Sequence, residues 1–228
     1  MRKAAAEQAS ASQVRAAARV FGRLLGWQSS DNALHRLHEA IPGFGPEASL
    51  LKAVAVNQIY STQVMAIARM GRHVADLMTR SPRPAGVTLV EVMASVPGVP
   101  DRRFTSFSAK FCHFFVNEEE YPIYDDAAKE ALRLHLAGSY NASDDRPYKA
   151  FVESFTEFRR TLGPEGSEFM CRDIDRYLWL TGMYLRWLRE RGSDEVRINE
   201  ELLGMFKSPG PAASDLDEML PRDLERTF

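Results

Sequence analysis

Residues 104–115 read Phe-Thr-Ser-Phe-Ser-Ala-Lys-Phe-Cys-His-Phe-Phe, and residues 121–126 read Tyr-Pro-Ile-Tyr-Asp-Asp. The first stretch predicts a helix that carries Lys110, because its aromatic residues can bury one side. A second helix is predicted to begin at Asp125 or Asp126, since a carboxylate at that position accepts hydrogen bonds from backbone amides. Two helices joined in this way would bring an ammonium and a carboxylate to the rim of one cleft.

The rest of the chain also has the apolar spacing of helices. Thr88 and Glu91 have the spacing of a capping box, and Tyr121 to Tyr124 is the only plausible extended piece. Helices are predicted over 13–27, 31–41, two within 46–79 that separate at 60–62, 88–96, 105–116, 126–137, 145–162 and 170–191. We therefore predict an all-α fold, with one compact helical domain over residues 1–191.

Charge is unevenly distributed along the 228 residues, although 29 Lys plus Arg and 31 Asp plus Glu leave a net charge of only −2. This total excludes a protein that coats nucleic acid through a strong positive field. Residues 1–30, predicted as a basic amphipathic N-terminal helix, contain five basic residues and one acid. Residues 192–228 contain four basic residues and nine acids and are predicted to form an acidic, loosely packed tail. A local phosphate-binding face is nevertheless predicted from Arg15, Arg19, Arg23, Arg102 and Arg103.

Composition also limits the compartment and the cofactors. The two cysteines, Cys112 and Cys171, have no pair spacing, which disfavours a disulfide scaffold or a thiolate zinc site. No run approaches the roughly 18 apolar residues of a membrane-spanning helix, and no secretory signal is recognised. We expect a cytoplasmic protein without membrane contact. His35 and His38 share a helix face without further ligands, so we predict no metal and no cofactor.

Three segments of the chain resemble segments that occur in the same order in the helix-hairpin-helix DNA glycosylases. The resemblance is to the 8-oxoguanine DNA glycosylase fold in particular, which is found among bacterial proteins and phage-defence operons. Residues 53–63 are similar to the helix end whose Asn or Gln enters the DNA stack, a role that falls to Asn57 or Gln58. Ser108-Ala109-Lys110 resembles the position of the lysine nucleophile. Pro122-Ile123-Tyr124-Asp125 resembles the segment that places the catalytic aspartate at a helix N-terminus.

The resemblance implies base excision from DNA. The neutral amine of Lys110 would attack a sugar C1′, and Asp125 would stabilise the positive charge that develops there. The base would first leave the stack. The implied DNA-contacting residues are Asn57, Gln58, Arg102, Arg103, Ser106 and Ser108, and the implied base pocket contains Phe107, Phe114, Tyr121 and Tyr124. One departure is that residues 105–108 stand where the family has a glycine-rich hairpin that binds phosphate.

Other interpretations of the same residues remain open. Lys110 is also explained as a solvated surface lysine, Asp125 as a purely structural N-cap, and His113 as a core histidine. The whole chain is also explained as a catalytically inactive helix-hairpin-helix scaffold that binds nucleic acid or a protein partner, through the N-terminal helix or the acidic tail. A third interpretation is that the chain is an all-α protein that shares the packing pattern of the helix-hairpin-helix DNA glycosylases by chance.

Overall fold

The structure, a computed structural model, describes residues 8–100, 102–137, 140, 145–191 and 198–221. Within these ranges the regular structure is helical and contains no strand, which confirms the all-α prediction. The α-helices of the described ranges are α1 (Ala11–Phe21), α2 (Leu25–Ala40), α3 (Pro46–Ile59), α4 (Ile67–Met78), α5 (Gly86–Ala94), α6 (Thr105–Phe115), α7 (Asp126–Leu136), α8 (Pro147–Thr161), α9 (Cys171–Glu190), α10 (Glu200–Lys207) and α11 (Ala213–Met219). Short 3-10 helices lie at Gly163–Ser167 and Gly210–Ala212.

The chain divides into two compact units, where the sequence predicted one domain over residues 1–191. The central unit consists of Ser29–Tyr124 and Ala142–Val152, and the terminal unit consists of Met1–Gln28, Asp125–Asn141 and Glu153–Phe228. Lys110 therefore belongs to the central unit. Asp125 is the first residue of the middle segment of the terminal unit.

Helix α9 is the centre of the terminal unit, where it packs against α1 and α7. Its buried side chains follow the helical spacing of a core-facing stripe and include Ile174, Leu178 and Leu185. The approach of α9 to α7 depends on Gly182, because a Cβ at this position would overlap the carbonyl of Ala127. A glycine in the middle of a long helix thus has a packing reason.

Residues 198–221 pack within the terminal unit, so the prediction of a loose tail is wrong for them. Leu202 of α10 and Met219 of α11 are fully buried, and Phe206 and Leu216 are nearly so. Helix α11 packs against α1, and α10 packs against α9. The remainder of the predicted tail lies outside the described residues. The acidic composition of this segment accordingly belongs to the outer faces of packed helices.

Arg15 and Arg19 of α1, and Arg23 just after this helix, are paired with carboxylates of the same unit. Arg15 Nη2 lies 2.9 Å from Glu165 Oε1, Arg19 Nε lies 2.7 Å from Asp215 Oδ1, and Arg23 Nη2 lies 2.9 Å from Asp215 Oδ2. The opposite charges that the sequence places near the two ends meet in these pairs. The phosphate-binding face predicted for the three arginines is therefore occupied by acidic side chains of the protein itself.

The central unit is built on α3 and α6. Helix α3 packs against α4 and α6, and α5 packs against α6. Close approach of α3 and α4 requires Gly71, because a Cβ there would lie 2.9 Å from the Cα of Leu50. In the connection from α5 to α6, Gly98 has φ +77°, and its carbonyl accepts a hydrogen bond of 2.9 Å from Arg69. This packing positions α6, which carries Lys110.

Glu91 does not act in the capping box predicted at residues 88–91, because α5 begins before it and has no side-chain cap. Its carboxylate instead accepts hydrogen bonds from the backbone N–H groups of Tyr148 and Lys149 at 3.0 and 3.2 Å. The other carboxylate oxygen lies 2.5 Å from Arg103 Nη2. Glu91 therefore caps the start of α8 from another helix, a contact that local sequence spacing cannot reveal.

Most predicted helix boundaries agree with the structure, and the break between α3 and α4 falls at residues 60–66. The exception is the first predicted helix over 13–27, which is divided: α1 ends at Phe21 and α2 already begins at Leu25. Asp31, predicted to begin a helix, consequently lies inside α2. Among the described residues, no helix combines the length and the apolar character needed to span a bilayer.

Candidate functional site

Lys110 is 3% exposed on α6, so its interpretation as a solvated surface lysine is wrong. Its Nζ donates to Ser106 Oγ, one helical turn earlier, at 2.9 Å, and to the carbonyl oxygen of Tyr124 at 3.3 Å. Nζ also lies 5.6 Å from the centre of the Tyr60 ring, over its face. Contacts with polar oxygens and an aromatic face fix the direction of this amine.

Side chains of α6 and α8 hold the carbonyls of the segment from Tyr121 to Tyr124. His113 Nδ1 lies 2.9 Å from the carbonyl oxygen of Tyr121, and the hydroxyl of Tyr148 donates to the carbonyl of Pro122 at 3.1 Å. Lys110 contacts the carbonyl of Tyr124. His113 is buried, as expected for a core histidine. The segment is thus fixed, without strand pairing, up to the residue before Asp125.

Asp125 is the N-cap of α7, in the terminal unit. It has extended backbone angles (φ −148°, ψ 174°), and its Oδ1 accepts a hydrogen bond of 2.8 Å from the amide of Ala128. Asp126 lies in the first turn of α7, with its side chain 80% exposed and 2.7 Å from Lys129 Nζ. The predicted capping role is therefore confirmed for Asp125 and not for Asp126.

The two candidates for insertion into DNA have different environments. Asn57 organises the loop after α3: its Oδ1 accepts hydrogen bonds from Val64 N–H at 2.8 Å and Thr62 Oγ1 at 2.9 Å, and its Nδ2 donates to Val64 O at 3.3 Å. Gln58 is exposed. Met65, in the same loop, is 88% exposed, an unusual fraction for a large apolar side chain. Sequence analysis missed Met65 because exposure is a tertiary property.

The other predicted DNA-contacting residues have unequal access to solvent. Arg102 is exposed, with its guanidinium 5.1 Å from the centre of the Phe104 ring. Arg103 binds Glu91 and also donates to the carbonyl of Asp145 at 3.0 Å. Ser106 accepts the Lys110 hydrogen bond. Ser108 is fully buried, and its Oγ has no hydrogen-bond partner, so a phosphate has no access to it.

Residues 105–108 form the first turn of α6 and not a hairpin. A glycine with positive φ, Gly98, lies earlier, in the connection from α5 to α6. Three of the four predicted base-pocket residues are core residues, with exposures of 1% for Phe107, 4% for Phe114 and 1% for Tyr121. Tyr124 is partly exposed and lies edge-on to Phe151, with ring centres 5.2 Å apart. Tyr124 is therefore the member of this set that can receive a base without repacking of the core.

Tyr60 lies beside Lys110 and is bound in turn to Asp31, and sequence analysis assigned neither residue a role in the site. The Tyr60 hydroxyl donates to Asp31 Oδ1 at 2.7 Å, and Asp31 is only 6% exposed. The Tyr60 ring also lies 5.5 Å from the ring of Phe114. The two residues are 29 positions apart, so no local pattern links them.

A second buried lysine, Lys52, was also missed. It is fully buried on α3, and its Nζ donates to the carbonyl of Gly43 at 2.6 Å and lies 4.6 Å from the centre of the Phe44 ring. Burial lowers the pKa of Lys52, and burial followed by the nearby charge of Lys52 lowers the pKa of His38. Its position inside an apolar run was the available sequence signal, because the residues on both sides are Leu and Ala.

Comparison with known proteins adds one match. A family model named HI_0787_N, described as an N-terminal domain, matches residues 13–120, which is less than half of the 228-residue chain. Neither the curated proteins nor the solved structures include a significant match. The matched range contains Lys110, Tyr60 and Asp31 and ends before the segment that leads to Asp125.

Proposed function

We propose that this protein is a DNA glycosylase that removes a damaged or modified base and uses Lys110 as its nucleophile. The observation that carries the proposal is the environment of Lys110, an amine on a buried aromatic helix whose Nζ is oriented by Ser106 and by the Tyr124 carbonyl. A buried, directed amine is what nucleophilic attack on a sugar carbon requires. A surface lysine has neither property.

The reaction assigns a separate task to each residue. The neutral Lys110 amine forms a bond to C1′ while the bond between C1′ and the base nitrogen breaks; the electron pair leaves with the base, which takes up a proton. Opening of the sugar ring then gives an iminium that borohydride reduces to a stable amine. The carboxylate of Asp125, at the N-terminus of α7, is assigned to stabilise the cationic sugar.

Entry of the base requires a side chain to replace it in the stack. Gln58 is exposed and suits this role, whereas the amide of Asn57 makes three hydrogen bonds within the loop. Met65 is a candidate apolar wedge, because its side chain protrudes from the same loop and apolar side chains are inserted between base steps by other DNA-bending proteins.

Borohydride trapping tests the proposal. Incubation with abasic or 8-oxoguanine DNA is expected to yield a covalent adduct with the wild type and with Lys129→Ala, a control lysine on α7, and no adduct with Lys110→Ala. Asp125→Asn is expected to slow base release by about a hundredfold or more, because it removes the carboxylate that is assigned to stabilise the cationic sugar. No adduct and no base release from a panel of lesions would contradict the proposal.

The loop residues give an independent test on DNA affinity. Gln58→Ala and Met65→Ala are expected to weaken binding to mismatched or lesion-containing duplexes with no loss of folding stability. Asn57→Ala is expected to lower stability by about 1–2 kcal/mol, since it leaves loop amides and carbonyls without partners. Fluorescence anisotropy and urea unfolding separate the two effects. If all three variants bind DNA with the affinity of the wild type, the loop is not part of the proposed interface.

A second candidate function is a catalytically inactive scaffold that binds nucleic acid or a protein. It is favoured because two residues predicted to contact phosphate have other environments in the structure. Arg103 binds Glu91 and the carbonyl of Asp145, and Ser108 is buried. This alternative predicts that Lys110→Ala leaves DNA binding and cellular phenotype unchanged. A folded Lys110→Ala protein that has lost the phenotype would defeat it.

A further inference from the structure

Tyr60 connects three elements of the central unit at the amine of Lys110. It is the C-cap residue of α3, where its N–H donates to the Val56 carbonyl at 3.0 Å. Its ring face lies 5.6 Å from Lys110 Nζ on α6, and its hydroxyl donates to Asp31 on α2 at 2.7 Å. One side chain therefore contacts helices that are far apart in sequence.

The Asp31 carboxylate is a strong anchor for this ring. Asp31 is 6% exposed, and a buried acceptor of this kind holds its donor because leaving it without a hydrogen bond costs free energy. The neighbouring Phe114 ring, 5.5 Å away, restricts the Tyr60 ring further. The orientation of the ring is consequently fixed at both its apolar face and its polar end.

Three of the contacts of the Lys110 amine bear on its direction. Ser106 Oγ and the Tyr124 carbonyl accept its hydrogen bonds, and the Tyr60 face lies against it. Hydrogen bonds to a hydroxyl and a carbonyl leave a flexible four-carbon side chain with alternative rotamers. An immobile aromatic face against the amine limits those rotamers by contact.

We propose that Tyr60, anchored by Asp31, is a positioning residue for the Lys110 amine. The effect of this positioning on catalysis rests on the proposed function, because a directed amine matters for attack on a sugar carbon. The placement of the amine by Tyr60 can be tested on the protein without DNA. It predicts that removal of the ring moves or mobilises the Lys110 side chain, and that removal of the anchor does so to a smaller extent.

Lysine side-chain NMR tests the structural part on the full chain. The sequence contains six lysines, so labelling with carbon-13 and nitrogen-15 lysine gives a resolvable set of signals, and Lys110→Arg identifies the signals of Lys110. Tyr60→Leu is expected to change the Lys110 Cε and Hε shifts by loss of the ring current. Tyr60→Phe and Asp31→Asn, which keep the ring, are expected to give smaller changes in the same direction.

A matched control lies in the same unit. Phe44→Leu removes the ring beside Lys52 and should change the Lys52 signals while leaving those of Lys110 in place. Unchanged Lys110 signals in Tyr60→Leu would overturn the inference. If that variant fails to fold, unchanged Lys110 signals in both Tyr60→Phe and Asp31→Asn overturn it instead.

Borohydride trapping then tests the consequence. Tyr60→Leu is expected to lower the initial rate of adduct formation by about tenfold or more, and Tyr60→Phe to restore most of that rate. Changed NMR signals with equal trapping rates would overturn the positioning role. Changed NMR signals with no adduct in any variant, the wild type included, would contradict the proposed function and leave the placement of the amine by Tyr60 standing.

Discussion

Arg19 of α1 and Asp215 of α11 form an ion pair in the terminal unit, with 2.7 Å between Nε and Oδ1. The same carboxylate accepts a hydrogen bond from Arg23 at 2.9 Å. The hydrogen bond from Arg19, followed by that from Arg23, lowers the pKa of Asp215, and the partner carboxylates raise the pKa of Arg19. This contact joins two arginines of the basic N-terminal segment to a carboxylate of the acidic C-terminal segment.

We predict that Asp215→Asn lowers the free energy of unfolding by about 0.5–1 kcal/mol at neutral pH, since both arginine partners are partly exposed and screened by water. Because the folded pKa is depressed, this contribution is complete above the ordinary aspartate pKa of about 3.9. It is lost as the pH falls through the lower folded value. Urea unfolding at neutral pH and at about pH 3 measures the change.

Asp217→Asn is the matched control for this pair, because Asp217 is exposed on the same helix. It should change the unfolding free energy by less than about 0.5 kcal/mol at either pH. A loss for Asp215→Asn that is the same at both pH values would show that the ion pair does not supply the stability.

We predict that Lys52→Met raises the free energy of unfolding by about 1 kcal/mol at neutral pH. Methionine fills a similar volume without the cost of a buried ammonium, and the carbonyl of Gly43, on an exposed residue, can bind water instead. Burial lowers the folded pKa of Lys52, so the unfolded chain retains this proton to higher pH than the folded one. Wild-type stability therefore rises with pH between the lowered value and about 10.5.

The advantage of Lys52→Met should accordingly shrink as the pH is raised through this interval, as followed by thermal unfolding at several pH values. Lys52→Arg, which keeps a permanent charge at the buried position, should be less stable than the wild type throughout. A Met variant that is less stable than the wild type at every pH would show that the hydrogen bond to Gly43 and the contact with Phe44 outweigh the cost of burial.

We predict that Gly182→Ala lowers the free energy of unfolding by about 3 kcal/mol or more, because its Cβ would overlap the carbonyl of Ala127 and force α7 away from α9. Gly204→Ala in α10 should instead raise it by about 0.5–1 kcal/mol, since no atom lies within 4 Å of the new Cβ and alanine favours helix. Both variants replace a helical glycine by alanine, so chemical unfolding measures how the same substitution changes the free energy of unfolding at a crowded and at an open position. Equal effects would contradict the close packing of α7 and α9.

The sequence predicted the class of the fold and most of its helices, because helical periodicity and N-caps are local. The capping role of Asp125 was predicted for the same reason, since Asp125 and the Ala128 amide are three positions apart. The capping box at residues 88–91 was wrong, because Glu91 has hydrogen-bond partners 57 and 58 positions away. A local spacing rule does not detect competition from such a distant helix end.

The candidate site was predicted only in part. Lys110 was identified, but its burial depends on how α6 packs in the central unit. Tyr60, although it lies within residues 53–63, and Asp31 were given no role in the site. Phe107, Phe114 and Tyr121 were assigned to a base pocket, whereas their exposure of 4% or less makes them core residues. An aromatic residue in a helix has the same one-dimensional signature in a pocket and in a core.

By itself, the amino-acid sequence determined the all-α class, most of the helices up to α9 and the N-cap at Asp125, since each follows from contacts within a few residues along the chain. Only the tertiary structure decided that Lys110 is buried against Tyr60, that Asn57 is engaged while Gln58 and Met65 are exposed, and that the basic and acidic ends neutralise each other. The physical reason is that burial and ion pairing depend on which distant surfaces meet.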